Sequence, residues 1–190
     1  MKKYIKIFLL LFTVVLILSF INKKTTPLPL VKVVELTTLP IKIKTIEIEL
    51  VTSSHNQFLE AIGFKESNNR YDIVNQYGYM GKYQFGNKTL KGLGFKLTKD
   101  EFLNSPYIQE KAMHKLLTHN QKKLKKYITK YEGKVVHGVL ITESGILAAA
   151  HLGGQGNVRK FFRRGKVFKD GNGTKITHYM ELFGGYNLNL

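Results

Sequence analysis

The sequence predicts a mainly α domain with one irregular loop region, preceded by an N-terminal membrane segment. Apolar residues recur at helical spacing through most of residues 53–190, which is the pattern of amphipathic helices. Ser, Thr and Asn residues that cap helices separate these runs. The hydrophobic fraction of 43% is sufficient for a packed core.

Residues 1–24 form the predicted membrane segment. Lys2, Lys3 and Lys6 precede an apolar run over residues 7–21, which spans roughly 22 Å as a helix and comes close to a full span when flanking residues are included. No small-residue cleavage pattern follows the run. We expect an uncleaved signal anchor first and a cleaved signal peptide second. Either alternative predicts export, with the domain outside the cytoplasm in the cell envelope.

Residues 25–52 have the character of a stalk or linker. Pro27, Pro29 and Pro40 interrupt β-branched stretches, and residues 41–49 alternate almost strictly between apolar and polar side chains. A period of two is typical of a strand. We therefore predict a stalk that adds at most one edge strand to a domain over residues 53–190.

The elements of the domain follow in order. Ser53 or Ser54 caps a first helix that ends at Asn68 and Asn69, because Asn tolerates the left-handed conformation. Residues 70–86 are predicted as loops or a small hairpin. A capping box at residues 98–101 opens a short helix, and Ser105 with Pro106 opens a long helix ending near Gly133. Further helices are expected at residues 142–152, 158–162 and 177–183.

The charge of the chain favours an anionic partner. There are 30 Lys and Arg residues against 13 Asp and Glu, a formal net charge of +17. No nucleic-acid-binding motif accompanies this charge, so no nucleic-acid partner is expected. There are no cysteines, and His114 and His119 are five residues apart on a predicted helix, which turns them to different faces. The sequence therefore predicts neither a metal site nor a cofactor.

Glu66 is the candidate catalytic residue, because it lies where the first helix stops and an aromatic loop begins. The negative end of the helix dipole and burial beneath loop aromatics both disfavour the charged form. We therefore expect a raised pKa, which suits a general acid. The loop supplies stacking faces and hydrogen-bonding groups of the kind that hold sugar rings: Tyr71, Tyr77, Tyr79, Tyr83 and Gln84.

Four blocks in this order resemble the lytic transglycosylase family of the lysozyme-like superfamily. The blocks are Glu66-Ser67, residues 81–84 (GKYQ), residues 149–153 (AAHLG) and Tyr179, and the resemblance covers roughly residues 54–186. It implies a lysozyme-like α (α+β) fold and a transglycosylase domain.

The resemblance also implies roles for individual residues. Glu66 would be the catalytic acid and base, with Ser67 orienting it or holding a product-side group. Gln84 would line the sugar cleft with Tyr83 beside it, and Tyr179 would tune the glutamate. His151 stands where the family usually has an asparagine, and it would replace that amide as a substrate-binding donor.

The predicted activity is cleavage of peptidoglycan glycan strands between amino sugars, with 1,6-anhydro ends as products. Glycosidases usually employ two carboxylates, but Glu60 and Asp72 are the other acids near Glu66 in sequence and neither has an obvious role. This scarcity favours the transglycosylase scheme over a hydrolytic lysozyme. The remaining alternatives are a non-catalytic peptidoglycan-binding or wall-assembly protein and a basic protein that binds nucleic acid.

Overall fold

The computed structural model describes the backbone of residues 41–190 and the side chains of residues 54–190. The predicted membrane segment and residues 25–40 of the predicted stalk lie outside these residues. Within the part of the chain that is described, no helix is both long enough and apolar enough to cross a membrane.

The described chain is mainly helical, as predicted, with one short β-hairpin. Its helices are α1 (Ile41–Ser67), α2 (Asn87–Gly92), α3 (Lys99–Leu103), α4 (Pro106–Tyr131), α5 (Glu143–Arg164) and α6 (Ile176–Leu182). The strands β1 (Val135–Val136) and β2 (Val139–Leu140) pair in antiparallel orientation between α4 and α5.

Helix α1 begins earlier than the sequence pattern predicted. It starts at Ile41, so residues 41–49 are helical rather than an edge strand, and neither Ser53 nor Ser54 is its first residue. A strand needs a neighbouring strand to pair its backbone groups, whereas a helix pairs them internally. No strand in residues 41–190 pairs with this segment, and the helical conformation satisfies its backbone without one.

The predicted starts of α3, α4 and α5 depend on capping residues, and the structure confirms them. Helix α2 was not predicted, and neither it nor α6 has a side-chain cap. Thr98 and Glu101 form a reciprocal capping box at the start of α3. Ser105 accepts the Ile108 N–H ahead of the proline that starts α4, and Thr142 accepts the Gly145 N–H at the start of α5. Helix α5 is kinked at Gly154, whose φ of 76° is not helical, in agreement with the predicted stop.

The β1–β2 hairpin was not predicted. Its two-residue loop is His137 and Gly138, both with positive φ (50° and 83°), which is the geometry of a type I′ turn. The sequence signal was present: the dipeptide His137-Gly138 separates two short apolar runs, Val135-Val136 and Val139-Leu140. The runs were too short to register as strands, because each contributes only two paired residues.

Two adjoining apolar clusters hold the helices together. The first joins α1, α4, α5 and α6 and includes Phe58, Ile62, Met113, Leu147 and Phe183. The second joins the C-terminal half of α4 and both halves of α5 to the hairpin and α6. The chain end is fixed to this core through the buried Ser144, whose hydroxyl accepts the Tyr186 N–H at 3.1 Å. The core thereby places the end of α1, the middle of α5 and α6 side by side.

Gly145 permits the close approach of α5 and α6. A Cβ at this position would lie 2.5 Å from the backbone oxygen of Met180, which cannot rotate away as a side chain could. We expect Gly145→Ala to destabilise the fold by about 1–3 kcal/mol, the usual cost of overpacking a core. Unfolding in denaturant measures this change.

Gly156 on the same helix is the matched control. A Cβ there meets nothing within 4 Å, so Gly156→Ala only restricts the unfolded chain and favours the helix. We expect it to stabilise the protein by about 0.5–1 kcal/mol. Equal effects of the two substitutions would contradict the role of Gly145 in helix packing.

Candidate active site

The end of helix α1 sets the position of Glu66. Asn68 and Asn69 adopt left-handed conformations (φ 53° and 60°) and turn the chain sharply away from the helix. The Glu66 side chain keeps only 15% of its surface exposed. The Glu66 carboxyl group is therefore largely shielded from solvent but remains partly accessible from the surface.

Two side chains from distant parts of the chain converge on one oxygen of Glu66. The Tyr179 hydroxyl donates to Oε1 at 2.9 Å from helix α6, and His151 Nε2 lies 3.5 Å from the same oxygen on helix α5. The ring of His151 is 7% exposed and meets the edge of Phe85. Its Nδ1 is buried and has no hydrogen-bond partner among residues 54–190. A proton on Nε2 suits this arrangement, because that nitrogen faces the carboxylate.

The pKa of Glu66 is lowered, in contrast to the sequence-based expectation. Burial is the largest single effect and raises this pKa, but the hydrogen bond and charge of His151, the Tyr179 hydrogen bond and the charge of Lys65 together outweigh it. The expectation considered the helix end and desolvation alone, and it did not include the two donors that folding brings to the carboxylate. Glu66 is thus ionised at neutral pH in the ligand-free protein. The pKa of Tyr179 is raised by burial and by Glu66, so this hydroxyl remains a donor.

Glu66 lies in a cleft of about 280 Å³ with aromatic and amide walls. Tyr77 and Tyr79 are 55% and 46% exposed, so their ring faces are available for stacking. The Asn75 side chain fixes the loop that carries them by accepting both of their backbone N–H groups at 2.9 and 3.0 Å. The cleft residues besides these are Gln84, Leu152, His151, Asp170, Gly171 and Asn172. Such a lining suits a sugar ring, which offers an apolar face and a rim of hydroxyls.

A buried amide holds the 81–84 loop beside Glu66. Gln109 accepts the Lys82 N–H at 2.9 Å and donates to the carbonyls of Tyr71 and Phe102. Gly81 has a φ of 71°, and a Cβ there would collide with the Gln109 amide. The glycine of this block is thus required by packing. Gln84, at the end of this loop, lies on the cleft wall, and its side chain donates to the Gly81 carbonyl at 2.9 Å.

The other two residues assigned to the site by resemblance do not line the cleft. Tyr83 is fully buried and donates to Glu110 at 2.7 Å, so the structure does not place it on the cleft wall beside Gln84. The chain turns at residues 81–84, where the Gln84 N–H donates to the Gly81 carbonyl at 3.1 Å, and Gln84 lies on the cleft side. Ser67 is also buried, and its hydroxyl donates to the Lys82 carbonyl at 2.8 Å. This bond fixes the 81–84 loop against the turn that carries Glu66.

The turn at residues 170–173 forms part of the cleft wall, which the sequence analysis missed. Its geometry is that of an Asx turn: Asp170 Oδ1 accepts the N–H groups of Asn172 and Thr174. The Asn172 side chain lies 3.4 Å from the Tyr77 hydroxyl, joining two cleft walls. No local pattern reveals this proximity, because about a hundred residues separate the turn from Glu66.

Glu60 and Asp72, the other acids considered from the sequence, are engaged elsewhere. Glu60 pairs with the buried ammonium of Lys82 at 2.5 Å, and Asp72 pairs with Arg70 at 3.0 Å on the exposed surface. Neither lines the cleft. Asp170 is the second carboxylate there. Among the described residues, no group of three or more His, Cys, Asp or Glu side chains is arranged to hold a metal ion.

Comparisons with known proteins give only a distant likeness to a solved structure. No family model matches the chain, and no curated protein matches it. Among solved structures, it is similar to an inactive mutant of the lytic transglycosylase Slt from Pseudomonas aeruginosa, with a TM-score of 0.47 and 14% identity. The match covers 76% of this chain and 23% of that one. At this distance the likeness does not establish a family.

His151 allows a prediction about pH. Replacing it with Asn keeps a donor but removes the charge that lowers the Glu66 pKa, so that pKa rises. If the reaction requires a protonated Glu66, activity falls as pH rises through this pKa. Under the peptidoglycan-cleaving activity proposed below, we expect His151→Asn to move this alkaline limb to higher pH, as measured by initial rates of peptidoglycan clearing across pH.

His119→Asn is the control for this shift. His119 is exposed on α4 and does not line the cleft, so its loss should leave the profile unchanged. A limb that stays in place in the His151 variant, or moves equally in both variants, would contradict the assigned role of His151.

Proposed function

We propose that the protein cleaves the glycan strands of peptidoglycan, with Glu66 as the acid and then the base. The observation that carries this proposal is a carboxyl, 15% exposed, in a cleft that is also lined by exposed tyrosines and amides. The tyrosine faces suit sugar rings, and the amides suit their hydroxyl and acetamido groups. The four sequence blocks that resemble lytic transglycosylases support the same assignment.

In the first step, protonated Glu66 donates to the bridging oxygen between two amino sugars as the glycosidic bond breaks. The leaving sugar gains the proton, and positive charge develops on the other sugar. Binding of the glycan expels water from the cleft and strengthens desolvation, which already acts to raise the Glu66 pKa. Tyr179 and His151 hold the carboxyl in one orientation throughout.

In the second step, the Glu66 carboxylate accepts a proton from the 6-hydroxyl of the positively charged sugar. That oxygen forms a bond to C1 and closes a 1,6-anhydro ring, and Glu66 is again protonated. The two donors on Oε1 stabilise the carboxylate between these steps. One carboxyl therefore completes both proton transfers without external water.

Asp170 supports a second candidate, a hydrolytic lysozyme. It is a second carboxylate on the cleft wall, and a pair of carboxylates is the usual equipment for glycoside hydrolysis. However, its Oδ1 already accepts two backbone N–H groups within its own turn. This engagement favours a structural role for Asp170 and the one-carboxylate scheme for the reaction.

Digestion of purified peptidoglycan by the full chain tests the proposed function. Release of soluble muropeptides is the expected result. A folded protein that binds the sacculus and releases nothing would support the alternative of a wall-binding or assembly protein.

We also propose that the protein is exported and held at the membrane by residues 1–24. The proposal is supported by an apolar run behind lysines without a small-residue cleavage pattern. Fractionation of cells should recover the full-length chain with the membranes, released by detergent and not by high salt. A shortened chain in the soluble fraction would indicate a cleaved signal peptide instead.

A further inference from the structure

The outward face of the β1–β2 hairpin is apolar, although it faces solvent. Val135 and Leu140 are paired across the two strands and are 69% and 56% exposed. Cross-strand partners point to the same side of a hairpin. The opposite face carries Val136 and Val139, which pack into the second core cluster. The core therefore accounts for the burial of Val136 and Val139. It does not account for Val135 and Leu140, and this exposed pair is called here the hairpin tip.

Exposed cations surround the hairpin tip. Lys130 and Lys134 precede it at the end of α4, and the Lys134 ammonium donates to the Lys130 carbonyl at 2.8 Å. The hairpin loop contacts the end of α5: His137 meets Phe161 edge-on, and a Cβ on Gly165 would lie 3.3 Å from the His137 ring. That end of α5 adds three exposed basic residues, Arg163, Arg164 and Lys166.

Among residues 54–190, these cations are not neutralised by ion pairs. None of the five forms an ion pair with an acid in residues 54–190. The sequence from 159 to 169 has no acidic residue, and Glu132 is the one acid from 130 to 142. Glu132 is directed toward the start of α5, where Oε1 accepts the Glu143 N–H at 3.3 Å.

We propose that the hairpin tip and its ring of cations bind the surface of an anionic lipid bilayer. Basic residues attract anionic headgroups, and two exposed aliphatic side chains enter the region beneath them. A soluble polyanion satisfies the cations but offers no apolar layer for Val135 and Leu140, so the apolar pair favours a membrane. This contact is independent of Glu66 chemistry. It would hold the catalytic domain close to the membrane on the side where the tip lies.

A single tryptophan at the tip tests the proposal in the full chain. The protein has no Trp, so Leu140→Trp introduces one indole whose emission reports only its own surroundings. In vesicles containing phosphatidylglycerol and brominated acyl chains, we expect a blue shift and loss of most of the emission. In brominated phosphatidylcholine alone, we expect neither. Because the readout is local to the tip, insertion of residues 1–24 does not produce it.

Two further variants control the measurement. Tyr107 is 73% exposed near the start of α4, roughly 36 Å from the hairpin end of that helix, so Tyr107→Trp should remain unquenched in both vesicles. Lys134→Glu with Arg164→Glu, added to Leu140→Trp, should abolish the quenching. Each basic residue near an anionic surface strengthens association about fivefold, and charge reversal adds repulsion. Circular dichroism verifies that this variant is folded.

Three results would overturn the proposal. The first is a tip tryptophan that stays unquenched in anionic vesicles. The second is equal quenching in zwitterionic vesicles, which would mean that the cations are not involved. The third is an emission change with soluble polyphosphate and none with lipid, which would assign the surface to an anionic polymer.

Discussion

Glu66→Gln is expected to lower the rate of peptidoglycan cleavage by about 10²–10⁴-fold, the usual worth of a positioned acid or base. Both donors at this site, Tyr179 and His151, converge on Oε1. A glutamine carbonyl in that place accepts the same two contacts, so the geometry of the site is retained. What is lost is the proton, because an amide neither delivers it to the leaving oxygen nor removes it from the 6-hydroxyl.

The measurement is the initial rate of muropeptide release from purified peptidoglycan, with binding to the insoluble sacculus recorded in parallel. We expect binding to be retained in the Glu66→Gln variant. Glu60→Gln is the matched control on the same helix, since Glu60 faces Lys82 away from the cleft and glutamine still accepts from that ammonium. Undiminished cleavage by Glu66→Gln would remove Glu66 from the mechanism.

The starts of α3, α4 and α5 could be predicted from sequence because they depend on local chemistry, whereas the short helix α2, which has no side-chain cap, was not predicted. Thr98 with Glu101, Ser105 with Pro106, and Thr142 each cap the helix that follows them in sequence. Asn68 and Asn69 end α1 through their own backbone conformations. None of these features requires a partner from elsewhere in the fold, so pattern and propensity suffice.

The site was predictable only in part, because its properties arise from long-range contacts. Glu66 was identified as the candidate acid, but the direction of its pKa shift depends on His151 and Tyr179, which reach it from α5 and α6. Tyr83 and Gln84 were expected to act together, yet the loop directs them to opposite sides. The resemblance suggested that Tyr179 approaches Glu66, whereas nothing in the sequence indicated that Asp170 lines the cleft.

The products of cleavage are expected to end in 1,6-anhydro sugars. After the bond breaks, the 6-hydroxyl of the same sugar is already held near C1, and oriented intramolecular attack has effective molarities of about 10⁵ M or more. This exceeds the concentration of water itself. External water competes only if a second group activates it, and the carboxylate placed to do so is Asp170. Since Asp170 Oδ1 accepts two backbone N–H groups, we expect ring closure to dominate.

Mass spectrometry of the digest distinguishes the two outcomes, because anhydro products are one water lighter than hydrolysis products and carry no new reducing end. Asp170→Asn completes the test, since asparagine Oδ1 accepts the same two N–H groups and preserves the turn. Under ring closure this variant should retain anhydro products and a rate within several-fold of the parent. Mostly reducing-end products that disappear in Asp170→Asn would instead identify a lysozyme in which Asp170 is the second carboxylate. Glu66 would then remain the acid, but the base that completes the reaction would lie across the cleft.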